Sequence, residues 1–244
     1  MRALLVQPSF GERSWFGKPM AMRQVDEWPV PLQLLALFYY RAQPIGLGMV
    51  ASSVPPHHEV RILDLRLQHD DALEQEISAF RPDIVGVSCM FTCAVNSTLR
   101  TVRRIRAAAP GTFIVVGGHA PSLAPEQVDI DEVDAIAIGE GEVIFPVLLE
   151  RLEQGRDWHD LPGLAFRVDG VLRRPASGVM LVDDLETLPL ASSRPMTLYA
   201  EQDQVLPWRV EAISTSRGCP FRCSFCAVQK MYQGRYRCVS AERA

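Results

Sequence analysis

The chain has 244 residues, 48% of them apolar, enough to bury at least one full core as one large domain or two smaller pieces. A formal net charge of −4, with no dense Lys/Arg cluster anywhere, leaves no basic field for a phosphate backbone, so nucleic acid is not an expected partner.

The chain opens with MRALLVQPSF, which has one basic residue and only a short apolar run. It does not fit a secretory signal and reads as a first strand. The most apolar stretch, PLQLLALFYYRAQPIGLGMVASSVPP, is interrupted by Arg41, Pro44 and Pro55, which argues against a membrane span. A cytoplasmic location with no transmembrane segment is therefore expected. There, the six cysteines are expected to be thiols or metal ligands rather than disulfides.

Further short apolar runs follow at Val60 to Leu65, Ile84 to Ser88, Phe113 to Val116 and Ala135 to Ile138. Their length suits buried parallel strands. Helical stripes lie between them. Leu73, Ile77 and Phe80 follow Asp70 and Asp71 as caps and stop at Arg81-Pro82, and Val95, Leu99, Val102 and Ile105 end at Pro110-Gly111. After the fifth run, VIFPVLLERLEQG closes at Gly155. This alternation predicts an α/β fold, a doubly wound five-stranded parallel sheet over residues 1–155, whose ligands sit at the carboxyl ends of the strands. Residues 156–210 read as a linker holding a β-hairpin around Asp169-Gly170. A last strand, VEAISTS, then leads into a cysteine-rich stretch.

That stretch, SRGCPFRCSFCAV, sets Cys219, Cys223 and Cys226 four and then three positions apart. The spacing is also one face of a helix, but Gly218 and Pro220 are loop residues and core packing has no need of three cysteines. A closed zinc site would need a second pair of ligands, and only Cys238 follows. The remaining reading is a [4Fe–4S] cluster with one open iron, or a closed cluster if Cys238 is a fourth ligand.

The run Ser216-Arg217-Gly218-Cys219-Pro220-Phe221-Arg222-Cys223-Ser224-Phe225-Cys226 resembles the signature loop of radical S-adenosylmethionine (SAM) enzymes. The resemblance implies that Cys219, Cys223 and Cys226 ligate the cluster and that SAM chelates the open iron. Reductive cleavage would then give a 5′-deoxyadenosyl radical, with Phe225 packed near the adenine. Ser88 after the third strand and Gly117-Gly118 after the fourth resemble cobalamin-binding domains, and Gly139-Glu140-Gly141-Glu142 after the fifth resembles the cobalamin-binding members of the radical family. By that resemblance Ser88, Gly117, Gly118, Gly139, Glu140 and Gly141 belong to the cobalamin site. The first strand is followed by Gln7-Pro8-Ser9-Phe10-Gly11-Glu12, so the cobalt-ligating histidine of the mutase-type domains is absent and a histidine-free lower face is expected. His69 and His119 read as polar loop residues, and Cys89 and Cys93 as small core residues.

The family implies methylation of an unactivated carbon on a small-molecule or lipid-like substrate, with an electron donor such as flavodoxin or ferredoxin. Oxidative cyclisation is the near alternative, and a non-catalytic cobalamin-binding or electron-transfer module the distant one. Residues 211–244 read as the start of a radical SAM domain. A full eight-unit barrel takes about 250 residues, and even a partial barrel would need on the order of 150. Only 34 residues remain from Glu211 onward. They are expected to form a frayed tail that a downstream polypeptide would complete.

Overall fold

The computed structural model describes residues 1–9, 44–66, 68, 71–190 and 213–243. His69, Asp70 and residues 10–12 of the preceding reading lie outside these.

Five strands, β1 (Arg2–Gln7), β2 (Glu59–Asp64), β3 (Ile84–Ser88), β4 (Phe113–Gly117) and β5 (Ala135–Ala137), form a parallel sheet in the order β2-β1-β3-β4-β5. Strands covered on both faces carry apolar residues at successive positions, and β1 shows the consequence. Leu4 and Val6 face one core with Leu73, Ile77, Val102 and Ile105, whereas Ala3 and Leu5 face a second with Leu47, Ile144 and Leu148. The first core lies under α2 (Ala72–Phe80) and α3 (Val95–Ala108), and the second under α1 (Ile45–Ser53) and α5 (Gly141–Glu153). Helix α2 ends at Arg81, whose left-handed conformation (φ 49°) turns the chain before Pro82. A short helix, α4 (His119–Leu123), follows β4. In this strand order the chain reverses direction across the sheet between β1 and β3, which opens a crevice at their carboxyl ends.

The hairpin after residue 156 is more than a linker. Strand β6 (Leu164–Val168) pairs antiparallel with β5, and β7 (Val171–Arg173) pairs with β6, so the sheet has seven strands. Asp169 and Gly170 both have positive φ (50° and 77°), the conformation of a two-residue turn matched to strand twist. The following segment runs back past the end of β5. Met180 bridges Gly139 in parallel, and Val182, Leu185 and Leu188 form a small third core with Met49, Val143 and Val239.

The C-terminal segment differs from its expectation in two respects. Residues 210–212 of VEAISTS lie outside the described residues; of the rest, residues 213–215 are not strand, and β8 begins at Ser216 (Ser216–Gly218) and pairs antiparallel with β9 (Tyr236–Cys238). Nor is the segment frayed. Met231 of α6 (Val228–Met231) and Arg237 are buried, and Arg235 pairs with Asp183 at 2.9 Å. Charge pairing and a few apolar contacts dock it. Among the described residues no helix is long and apolar enough to cross a membrane.

Candidate cofactor site at the carboxyl edge of the sheet

The register sets Ser88 beside Gly117, the last residues of β3 and β4. Both are half-buried, and the chain leaving β3 exposes Met90 and Phe91. At Gly117, the Cβ of Ala137, at 3.3 Å, is the one atom of the described residues within 4 Å of where a side chain would begin. Among the described residues this edge is therefore open backbone with an apolar border, and it suits a large flat ligand that approaches main chain closely. These residues fit cobalamin.

Other glycines of the reading are constrained from within the protein. Gly118 has φ 116°, and a Cβ there would stand 2.6 Å from the Cys89 carbonyl oxygen. Gly139 has φ 123°, and its Cβ would land on the Met180 carbonyl. Its N–H donates to Ser122 Oγ at 2.9 Å. Gly118 lets the β4 loop cross the β3 loop, and Gly139 lets the 180–182 segment cross β5. Gly141, at the start of α5, would place a Cβ against Val50 of α1.

Glu140 is buried, and its carboxylate is occupied by protein groups. Oε1 accepts from Arg217 Nη1 at 3.0 Å and Arg237 Nη2 at 2.9 Å; Oε2 accepts from Arg237 Nη1 at 2.8 Å and the Val182 N–H at 2.5 Å. Burial by itself would raise this carboxyl's pKa, but the hydrogen bonds from Arg237, Val182 and Arg217 outweigh it and hold the value below the ordinary one. Glu142 Oε1 takes the other end of Arg217 at 2.6 Å. Burial opposes the charge on Arg217, and the two glutamates more than restore it, raising its pKa. None of these partnerships is visible in local sequence, since 42 to 97 residues separate the partners. Two glutamates directly after a buried strand were the available hint.

The cysteine loop leaves β8 two residues after Arg217. Cys219 and Cys226 are half-buried and Cys223 is exposed; Phe221 and Phe225 are exposed beside them, Phe225 by 90%. Among the described residues the three sulfurs do not gather within the 4.8 Å of a shared single-ion site, a separation reached only by His57, His58 and Glu153 at the opposite edge of the sheet. Cys238 pairs with Ser216, at the end of β8 away from the cysteine loop.

The loop is tied to the sheet edge. His119, the residue after Gly117-Gly118, shares a 3.2 Å hydrogen bond through Nε2 with the hydroxyl of Tyr232, just beyond α6. Burial lowers the His119 pKa, with Arg217 adding to the effect, so the ring meets Tyr232 neutral at physiological pH. Cys89 is fully buried and its thiol pKa is raised by burial, as expected of a core cysteine, whereas Cys93, read as a core residue too, is exposed in the turn that follows β3.

Comparison with known proteins agrees with this arrangement. The B12 binding domain family matches residues 32–149. An uncharacterized methyltransferase of Pyrococcus horikoshii is 30% identical over 205 residues, 82% of this chain and 44% of that protein. The hopanoid C-3 methylase of Methylococcus capsulatus is 31% identical over 219 residues, 88% of this chain and 41% of that protein. The chain thus spans less than half the length of these relatives. A structure of the radical SAM methyltransferase TsrM from Kitasatospora setae, with cobalamin and a [4Fe–4S] cluster bound, superposes with a TM-score of 0.64 at 22% identity, covering 96% of this chain and 42% of TsrM. It shares the fold. With a B12-binding sheet, a three-cysteine loop docked beside it and relatives of this kind, the chain belongs to the cobalamin-binding family of radical SAM enzymes.

Proposed function

We propose that this chain holds cobalamin on the carboxyl edge of its sheet and a [4Fe–4S] cluster with one open iron on Cys219, Cys223 and Cys226. It would serve a radical SAM enzyme that methylates an unactivated carbon of a small-molecule or lipid-like substrate. Residues 1–155 form the cobalamin unit, residues 156–210 connect it through the edge hairpin, and residues 211–244 begin the radical SAM unit. The observation that carries the reading is the bond between His119 and Tyr232, which joins the loop after Gly117-Gly118 to the helix after Cys226.

When bound, the cofactors supply the chemistry: a 5′-deoxyadenosyl radical from SAM at the cluster and a transferable methyl group from the corrinoid. The chain's own residues bind and orient. Ser88 and Gly117 leave the main chain open to a flat ring, and Met90 and Phe91 border it with apolar surface. Each cysteine of the loop offers one thiolate, and exposed Phe225 offers a flat apolar face suited to an adenine. Free thiols in such a loop need a reducing compartment, which supports the cytoplasm and a one-electron donor such as flavodoxin or ferredoxin. Methyl transfer is favoured over cyclisation because the two relatives described above are named as methyl-transferring proteins.

Absorbance titration with hydroxocobalamin tests the first half of this reading. The chain is expected to bind with a histidine-free spectrum, and Gly117→Val is expected to weaken binding by about tenfold or more while the chain stays folded, its thermal midpoint lowered by the crowding against the Ala137 Cβ at 3.3 Å. Absence of any spectral change, or equal affinity in the variant, would contradict the assignment of this edge.

A further inference from the structure

Glu140, Glu142, Arg217 and Arg237 form one buried cluster, with side-chain exposures of 4%, 5%, 14% and 7%. Glu140 and Arg237 are bidentate, Arg217 bridges both glutamates, and Arg237 also donates to the Val182 carbonyl. The Tyr232 ring lies below the Arg237 guanidinium, 5.7 Å from its centroid, and Tyr232 is the same residue that reaches His119.

The arrangement is a costly way to gain stability. Well-packed apolar residues often serve a buried interface as well as an ion pair does, so net stabilisation does not account for four buried charges. Orientation does. A bidentate guanidinium–carboxylate contact fixes distance and angle together, which an apolar patch does not. Both glutamates are anchored where β5 passes into α5, and both arginines belong to the β8–β9 ladder that carries the cysteine loop. Arg217 stands two residues before Cys219.

We infer that Glu140 and Glu142 are positioning residues, whose carboxylates grip Arg217 and Arg237 and thereby set where the cysteine loop stands over the corrinoid edge of the sheet. The inference rests on the two-cofactor reading for its purpose, but the grip itself belongs to the cofactor-free protein.

Two measurements on the full 244-residue chain test it. In the cofactor-free chain, Glu140→Gln is expected to speed amide hydrogen exchange across residues 213–243 by about 100-fold while leaving β3 and β4 protected. Glu142→Gln, which removes one contact, is expected to give about tenfold, and Glu140→Asp, which keeps the charge, to recover part of the protection. Unchanged exchange over 213–243 would overturn the grip. So would equal acceleration throughout the sheet, which marks general destabilisation. In the reconstituted chain, pulsed EPR between cob(II)alamin and the reduced cluster is expected to show a narrow distance distribution that broadens in Glu140→Gln at unchanged cofactor content. An identical distribution would overturn the positioning role. If the wild-type chain takes up neither cofactor, the two-cofactor reading fails and the exchange result alone judges the grip.

Discussion

Replacing any one of Cys219, Cys223 or Cys226 by alanine is expected to abolish the brown chromophore and the iron and sulfide content of the anaerobically reconstituted chain. Cys238→Ala is expected to retain both. Each thiolate of an open cube terminates a different iron, so losing one leaves a second iron without a protein ligand. The three cysteines lie within eight residues of one loop, where a 3.2 Å hydrogen bond from the Cys226 N–H to the Cys223 carbonyl closes the turn between the last two, while Cys238 sits across from Ser216. The effect should be all-or-none for the loop cysteines. Loss of the cluster in Cys238→Ala would instead favour a closed electron carrier, and stoichiometric zinc in place of iron would remove both readings.

The second large effect is expected at Gly139. Its φ of 123° is a conformation that side-chain-bearing residues rarely adopt, and a Cβ would fall on the Met180 carbonyl. Both neighbours are held: Glu140 N–H donates to Met180 O at 2.8 Å, and Met180 N–H to Ile138 O at 3.0 Å. Gly139→Ala must therefore break this crossing or bear the strain, at a cost of about 3 kcal/mol or more. Urea unfolding would measure it. A loss below about 1 kcal/mol, joined to weaker cobalamin binding, would return Gly139 to the cofactor site instead of the architecture.

The parallel sheet was readable because buried strands have nothing to alternate. Ile84 to Ser88 and Ala135 to Ile138 stand out as apolar runs, and α2 and α3 announce themselves by Leu73, Ile77, Phe80 and by Val95, Val102, Ile105. Helix α1 did not. IGLGMVASS has two glycines, which lower helix propensity, and no polar face, and it folds because Leu47, Gly48 and Ala51 pack under the sheet. The Asp169-Gly170 turn was legible, but the pairing of β6 with β5 was not, since a hairpin's sequence does not name its neighbour.

The candidate site divides in the same way. The three cysteines and the Ser88/Gly117 pair carry their meaning in local spacing or at strand ends. Glu140 belongs to the cofactor site by resemblance alone; its partners Arg217 and Arg237 become apparent only when the chain has folded back across about 80 to 100 residues. The expectation of a frayed C-terminal segment, drawn from the residues a barrel needs, differs from the structure for the same reason: the ion pairs that dock residues 213–243 join distant parts of the chain.

The central claim is that the loop presents a cluster with an open iron beside a cobalamin site. Its most direct test is EPR of the dithionite-reduced, reconstituted chain before and after adding SAM. The account predicts that SAM shifts the signal of the reduced [4Fe–4S] cluster in the wild type and in Cys238→Ala alike. A signal that SAM leaves unchanged in a fully loaded chain would show a closed cluster and contradict it.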